Sequence, residues 1–252
     1  ARNTGIANSR GKYVYFLDSD DAFSREDALS SFLEAVEIYP NVEMVIGPYH
    51  CPKGLHGGFD VVRAGTEWLL YCLKRADISF AATDTLYSRE MLESLGSLFE
   101  ESLVHEDEEF SPRAIMHASS VVGITCEETY KRNEREGSLT NAVDELSHYK
   151  RCRGKLIVAL QSLEDKTFSC SDELRSLMDV RAFGFANMAF RAWSKNIHTP
   201  EFSRELEKIA AEIDFSSCPL NTHSWRSVRT WICAKLINCF GLRVFLSIIR
   251  LI

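Results

Sequence analysis

Apolar and polar residues follow two different patterns in the two parts of this chain. In the first part, short β-branched and aromatic runs predict strands at 12–17, 42–49, 85–87 and 119–125. Between them, apolar residues at helical spacing predict helices after Ser24, at 66–75 and near Glu106. From residue 144 onward the spacing is helical throughout, which predicts helices at 144–164, 171–195, 201–213 and 224–250. The pattern therefore predicts an α/β module over 1–142 followed by an all-helical region over 143–252.

The composition is that of a globular protein, because 45% of the residues are hydrophobic and 26% are charged. The formal net charge of -7 provides no overall basic field for a phosphate backbone, so we expect no nucleic-acid partner. The eight cysteines show neither a C-x-x-C pair nor histidines at zinc spacing. They are predicted to be free thiols, which fits a reducing compartment; the alternative that the spacing leaves is a secreted protein with one or two long-range disulfides.

Charge is segregated toward the end of the chain, where residues 219–252 include five basic residues and no acidic one. Apolar side chains such as Trp231 and Phe245 alternate with these cations. Two arrangements fit this tail. It forms either a basic amphipathic helix that contacts an anionic membrane leaflet peripherally, or a terminal helix packed on the core with solvated arginines.

A first acidic cluster, Asp18-Ser19-Asp20-Asp21, follows the first predicted strand. Side chains alternate along an extended chain, so Asp18 and Asp20 are expected on one side of it. Two carboxylates, completed by water and substrate phosphates, suit Mg²⁺ or Mn²⁺, which neutralises charge on a departing diphosphate. The alternative is an acidic turn in which Asp21 and Ser24 cap the next helix.

A second acidic cluster consists of four consecutive carboxylates, Glu106 to Glu109, at the start of a predicted helix. The helix dipole offsets part of their mutual repulsion, so a solvated helix start is one explanation. The other is that one of these carboxylates faces inward as a general base.

Three blocks near the start of the chain are Ala1-Arg2-Asn3-Thr4-Gly5-Ile6-Ala7, Gly11-Lys12-Tyr13-Val14 and Phe16-Leu17-Asp18-Ser19-Asp20-Asp21. Together they look like the central signature of the family 2 glycosyltransferases. Later blocks follow in the same order, at Leu86-Tyr87-Ser88-Arg89, Phe99, Glu106-Asp107-Glu108-Glu109-Phe110, Tyr130-Lys131-Arg132 and Glu136-Gly137-Ser138-Leu139-Thr140. The resemblance covers about residues 1–141. It implies a GT-A fold, which is a Rossmann-like nucleotide-sugar-binding sheet, and inverting transfer from a nucleotide-diphosphate sugar to an acceptor hydroxyl.

The resemblance also implies roles for individual residues. Asp18 and Asp20 would form the metal and donor motif, with Asp20 the more direct ligand of Mg²⁺ or Mn²⁺. Asp107 would be the catalytic base and Glu106 its orienting neighbour. Further donor-binding residues would be Arg2, Asn3, Arg132, Arg135 and Ser138, although surface arginines at these positions are the simpler alternative.

The family pattern normally begins before the Ala1-Arg2-Asn3 block, with a first strand and an acidic residue that hold the nucleotide base. We therefore expect an N-terminally truncated chain whose GT-A sheet lacks its first strands, and whose isolated form binds donor weakly and is close to inactive. Thr85 stands where many relatives carry lysine, which leaves any role of that position open.

The combination of an acidic catalytic part and a basic apolar tail suggests a cytoplasmic enzyme at the inner face of the cell membrane, and the resemblance adds a cell-surface polysaccharide pathway as its setting. Its acceptor would be a glycan or a lipid-linked sugar in cell-surface polysaccharide synthesis. Two other classes remain open from the residues. One is a metal-dependent phosphohydrolase in which Asp18 is the nucleophile, although Ala22 stands where Thr or Val is usual. The other is a non-catalytic, membrane-associated binding protein.

Overall fold

The computed structural model describes residues 1–48, 61–75, 79–96, 98–101, 103–133, 144–168, 171–196, 199–220 and 225–250. The chain forms two compact units. The first consists of Ala1–Glu100 and Phe110–Arg135, and the second of Glu101–Glu109 and Glu136–Ile252. The predicted division of domains at residues 142 and 143 stays a prediction.

The first unit combines short strands with helices, as the sequence predicts. Its strands are β1 (Tyr13–Tyr15), β2 (Ala22–Phe23), β3 (Met44–Ile46), β4 (Thr85–Ser88), β5 (Val121–Gly123) and β6 (Tyr130–Lys131). Its helices are α1 (Arg2–Asn8), α2 (Ala28–Ile38), α3 (Gly65–Lys74) and α4 (Arg89–Ser94). Helix α5 (Glu106–His117) begins with residues of the second unit and continues with residues of the first.

Four strands form the main sheet in the order β1-β4-β3-β5, and β2 pairs with β6 in a separate ribbon. Strand β4 is antiparallel to both β1 and β3, whereas β3 and β5 are parallel. The carboxyl ends of β1, β3 and β5 and the start of β4 therefore lie at one edge of the sheet. The Asp18–Asp21 segment follows β1 at that edge.

Both faces of the sheet are covered by apolar side chains, because neighbouring residues of a strand point to opposite faces. On one face, Leu86 packs with Phe32 and Ala35 of α2. On the other, Tyr87 contacts the rings of Phe16 and Phe110. This two-sided burial explains why β3 is apolar at every position.

One local prediction differs from the structure, and one helix was not predicted. Ser24 does not cap a helix: its N–H donates to Thr129 O at 3.1 Å and its hydroxyl to the carbonyl of Glu128, because it continues the β2–β6 pairing. Helix α2 begins at Ala28 instead. The sequence pattern also did not indicate helix α1.

The second unit is helical, as predicted. Its longer helices are α6 (Glu145–Asp165), α7 (Asp172–Lys195), α8 (Pro200–Ala211), α9 (Trp225–Phe240) and α10 (Leu242–Arg250). The first three begin at side-chain caps, in which Asp144, Ser171 and Thr199 accept backbone N–H groups. The helix predicted over 224–250 is divided at Gly241, whose φ of +80° is a left-handed conformation that glycine adopts without strain.

The apolar positions of the tail contribute to the core of the second unit. Ala234, Ile237, Phe245 and Leu246 are buried in the same cluster as Phe190 and Trp193 of α7. The structure thus contains the packed arrangement of the tail, and membrane contact through 219–252 stays a prediction. No helix within the described ranges combines the length and apolar character that a membrane crossing requires.

The cysteines that the structure describes are free thiols, as predicted. They are Cys72, Cys126, Cys152, Cys218, Cys233 and Cys239. Cys51 and Cys170 lie outside the described residues.

Candidate active site

The Asp18–Asp21 segment is a turn and not a continuation of the strand. Strand β1 ends at Tyr15, Phe16 is buried, and the N–H of Asp21 donates to the carbonyl of Asp18 at 3.0 Å. The expectation that Asp18 and Asp20 share one side of an extended chain is therefore wrong, because the chain reverses between them. The turn, and not an extended strand, carries Asp18 and Asp20.

Two of the predicted donor-site residues, Arg2 and Asp18, lie together. Arg2 Nη2 donates to Asp18 Oδ1 at 2.9 Å, and the Arg2 guanidinium lies over the ring of Phe99 at 5.2 Å from its centroid. The Arg2 side chain is 19% exposed and that of Asp18 is 43% exposed. The pair therefore presents a carboxylate and a cation together at a surface that solvent reaches.

Asn3, also predicted to bind donor, uses its side-chain amide within the fold. Its Nδ2 donates to the carbonyl of Phe99 at 2.8 Å, and its Oδ1 accepts the N–H of Phe99 at 3.0 Å. This double contact fixes α1 against the segment around Phe99. A donor-binding role for Asn3 stays a prediction.

The third acid of the first cluster, Asp21, joins the turn to the segment after β6. It accepts the hydroxyl of Tyr130 and, at 2.9 Å, the backbone N–H of Asn133. The side chain of Asn133 in turn donates to the carbonyl of Asp20 at 2.8 Å. Burial, together with the hydrogen bond to Asp21, raises the pKa of Tyr130, so its hydroxyl stays protonated and available as a donor.

The predicted donor residue Arg132 lies in the sequence between Tyr130 and Asn133, both of which contact the acidic turn. Arg132 is exposed and lies between β6 and Asn133. The other two residues predicted for this segment, Arg135 and Ser138, lie outside the described residues.

A buried carboxylate at the same sheet edge, Asp84, was not indicated by the sequence pattern. It is fully buried directly before β4, and its φ of +52° is unusual for a residue other than glycine. Its Oδ1 accepts the hydroxyl of Thr129 at 2.6 Å and that of Tyr15 at 3.2 Å. Burial, followed by the proximity of Asp84, raises the pKa of Tyr15. The polar run Thr83-Asp84-Thr85 before an apolar strand was the available signal.

Gly47 is the residue that makes room for Asp84. A Cβ at this position would lie 2.2 Å from Asp84 Oδ2, whereas one on Gly5 would meet nothing within 4 Å. We expect Gly47→Ala to lower the free energy of unfolding by about 1–3 kcal/mol, because the carboxylate must leave its partners. Gly5→Ala in α1 is the matched control and is expected to stabilise by up to about 1 kcal/mol. Denaturant unfolding of both variants checks this, and equal stability would contradict the proposed crowding at Gly47.

The second acidic cluster begins helix α5, and its four carboxylates differ in their surroundings. Glu108 forms an ion pair with Arg181, whose Nη2 lies 3.1 Å from Oε2. Glu109 is buried, whereas Glu106 and Asp107 are half-buried. The cluster is therefore more than a solvated helix start. Glu106 and Asp107, the predicted catalytic pair, occupy the first two positions of the helix.

The first acidic cluster, Asp18–Asp21, is the predicted metal site. Across the ranges that the structure describes, no three His, Cys, Asp or Glu side chains are grouped so that they could hold a metal ion. Mg²⁺ is commonly bound by one or two carboxylates together with substrate phosphates, and Asp18 and Asp20 supply hard oxygen ligands of that kind. Their chemistry fits the predicted cation, although Arg2 already pairs with Asp18.

Comparison with known proteins gives matches of two kinds. Residues 1–95 match the sequence model of the family described as Glycosyl transferase family 2. This range contains the Asp18–Asp21 turn and Asp84. No curated protein matches the chain.

Solved structures with a similar fold include TarS of S. aureus. Its residues 1–349 in complex with UDP-GlcNAc align over 95% of this chain and 71% of that one, with a TM-score of 0.54 and 16% identity. The same TarS segment with UDP gives a TM-score of 0.50 at 15% identity, covering 95% of this chain and 70% of that one. A longer TarS structure gives a TM-score of 0.51 at 15% identity, and the alignment covers 98% of this chain and 42% of that one.

The predicted fold class is confirmed by these likenesses, since a mixed α/β part followed by helices matches neighbours of the GT-A fold. The family match agrees with the signature blocks around Arg2 and Asp18. Residues 1–95 therefore match the family 2 glycosyltransferases, and the described part of the chain has the GT-A fold of its structural neighbours.

Proposed function

We propose that this glycosyltransferase moves a sugar from a nucleotide-diphosphate donor to an acceptor hydroxyl with inversion at the anomeric carbon. The observation that carries the proposal is the Asp18–Asp21 turn at the edge of the sheet, inside the range that matches the family. TarS structures that contain UDP-GlcNAc and UDP support a uridine-diphosphate sugar as the donor class.

In the proposed site, Asp18 and Asp20 would hold Mg²⁺ or Mn²⁺. The bound cation would neutralise negative charge on the leaving nucleoside diphosphate. Arg2, adjacent to Asp18, supplies a guanidinium whose fork of donors matches phosphate oxygens. Arg132, Arg135, Ser138 and Asn3 complete the donor-binding set that we propose.

The transfer step requires a base for the acceptor. The acceptor oxygen bonds to the anomeric carbon from the face opposite the diphosphate, and the bond from that carbon to the diphosphate oxygen breaks. The acceptor proton passes to Asp107, and the electron pair of the broken bond leaves with the nucleoside diphosphate. Glu106 orients Asp107. Attack from the opposite face gives inversion.

The acceptor that we propose is a glycan or a lipid-linked sugar of a cell-surface polysaccharide. The enzyme would work in the cytoplasm at the inner face of the membrane. Five cations without an acid in residues 219–252 support contact with an anionic leaflet, although part of the apolar face of the tail is used in the core.

The test is donor binding by the full-length protein, measured by calorimetry over a panel of UDP-, GDP- and dTDP-sugars with Mn²⁺ or with chelator. We expect one donor class to bind, with affinity at least about tenfold weaker without metal, because a cation held by Asp18 and Asp20 would offset the negative charge of the diphosphate. Asp20→Asn is expected to remove that metal dependence. Glu26→Gln, which changes an exposed acid in the same region, is the control. A folded protein that binds no nucleotide sugar, or binds equally without metal, would overturn the proposed donor site.

A further inference from the structure

The segment that includes Glu106 and Asp107 belongs structurally to the helical unit. Residues Glu101–Glu109 group with Glu136–Ile252, and contacts from α6 and α7 reach the segment on both sides of Asp107. The first contacts involve Val104 and His105, directly before the helix. The last involves Glu108, the residue after Asp107.

The first contact is a close approach of two backbones. A Cβ on Gly154 of α6 would lie 2.1 Å from the carbonyl oxygen of Val104. No side chain fits in that space, so glycine lets α6 lie directly against the backbone of Val104. The position of this backbone is therefore set by a rigid helix and not by a flexible side chain.

The second contact fixes the residue before the acidic pair. His105 has a φ of +76°, which is uncommon for a residue with a side chain and costs free energy unless neighbours stabilise it. Lys155 Nζ lies 3.0 Å from His105 Nε2. Burial, with the nearby cations Lys155 and Arg151, lowers the pKa of His105 to about 4, while Asp107 acts in the opposite direction. The ring is thus neutral at pH 7, and Nε2 accepts from the lysine.

The third contact comes from α7. The buried Arg181 directs Nη2 at both the backbone carbonyl and the carboxylate of Glu108, with 3.1 Å to Oε2. Two acceptors on one residue fix its backbone as well as its side chain. The Arg181 side chain is 7% exposed and that of Glu108 is 34% exposed, so Glu108 compensates a guanidinium that would otherwise be buried without a countercharge.

We propose that Lys155 and Arg181 are positioning residues that hold Asp107 in place for proton abstraction. The inference rests on the proposed function and adds to it a role for the helical unit, which supplies the support for the base. An error of about 1 Å in the placement of a reacting group can cost about 100-fold in rate. The contacts to His105 and Glu108, on either side of Glu106 and Asp107, would prevent such a displacement.

The test compares transfer kinetics of Lys155→Met and Arg181→Met with those of the unaltered protein. Methionine keeps most of the side-chain volume and removes the charge. We expect kcat to fall about 10- to 100-fold in each variant, with donor affinity within about twofold. Lys150→Met, an exposed position on the same helix, is the control and should keep full kcat.

A second experiment distinguishes positioning of Asp107 from a purely structural role. It combines each substitution with Asp107→Asn. If Lys155 acts through Asp107, adding Lys155→Met to Asp107→Asn lowers kcat no further, whereas independent effects multiply. The inference is overturned if both folded single variants keep kcat within twofold, or if their effects multiply with that of Asp107→Asn. If Asp107→Asn itself keeps full activity, the proposed function fails instead.

A measurement on the unaltered protein keeps the inference testable even if both variants fail to fold. Native-state hydrogen exchange should show the amide of Glu108, which donates to the carbonyl of His105 at 3.1 Å, opening with the amides of α6 and α7. Exchange of this amide together with the sheet amides of β3 and β4 would contradict the proposed support by the helical unit.

Discussion

Replacement of Asp107 by asparagine is expected to lower kcat for sugar transfer by about 100- to 10,000-fold, the range that a general base contributes. Asparagine keeps the shape of the side chain but cannot accept the acceptor proton at neutral pH. Donor affinity should stay within about twofold, because the carboxylates proposed to bind the metal and donor are Asp18 and Asp20. Initial rates at saturating donor and acceptor, with donor affinity measured separately, check both expectations.

The control for this variant is Glu101→Gln, which neutralises an exposed acid in the same segment of the second unit. It should keep kcat within about twofold. An Asp107→Asn protein that is folded and still transfers sugar at the normal rate would exclude Asp107 as the base. Glu106, the neighbouring half-buried carboxylate, would then be the next residue to replace.

Truncation of Phe110 to alanine is expected to lower the free energy of unfolding by about 3–5 kcal/mol, the usual cost of removing a buried aromatic ring. The ring is fully buried and stacks on Phe99 with 3.8 Å between centroids. It also contacts Phe16 and Tyr87 at 6.5 Å and 5.8 Å. A loss of this size is a large part of the roughly 5–15 kcal/mol that stabilises a typical protein.

Hydrogen exchange at the sheet amides of β3 and β4 measures this loss in the first unit, where Phe110 and its ring partners lie. The matched control is Phe240→Ala, whose ring is 59% exposed, so its stability should change by less than about 0.5 kcal/mol. An equal effect of the two substitutions would show that the aromatic cluster contributes little.

The position of Phe110 connects stability with the proposed chemistry. Along the chain it comes three residues after Asp107, while Phe16 of the same cluster comes two residues before Asp18. Repacking of that cluster is therefore expected to disturb the acidic turn after β1 as well as the sheet.

Secondary structure was predictable wherever it depends on neighbours in the sequence. The helices after Asp144, Ser171 and Thr199 have polar caps followed by apolar residues at helical spacing, and they lie where the pattern placed them. Ser24 shows the limit of such reasoning. It has the character of a cap, yet the pairing of β2 with β6, more than 100 residues away, places it at the end of a strand.

The division of roles among the carboxylates was not predictable from local pattern. Asp21 resembles its neighbours Asp18 and Asp20 in sequence, but its oxygens bind Tyr130 and Asn133. Glu108 likewise resembles Asp107, but it pairs with Arg181. These partners are separated by 73 to 112 residues, and no periodicity or cap indicates such pairs.

By itself, the sequence determined the order of the four main-sheet strands and of the longer helices, the location of the two acidic clusters and the resemblance to family 2 glycosyltransferases. These follow from neighbouring residues, since periodicity, caps and motifs are local properties. Only the tertiary structure decided which acids stabilise the fold, that the Asp18–Asp21 segment is a turn, and that Glu101–Glu109 belongs with the helical unit. The physical reason is that burial and ion pairing depend on contacts between distant parts of the chain, and these exist only once it has folded.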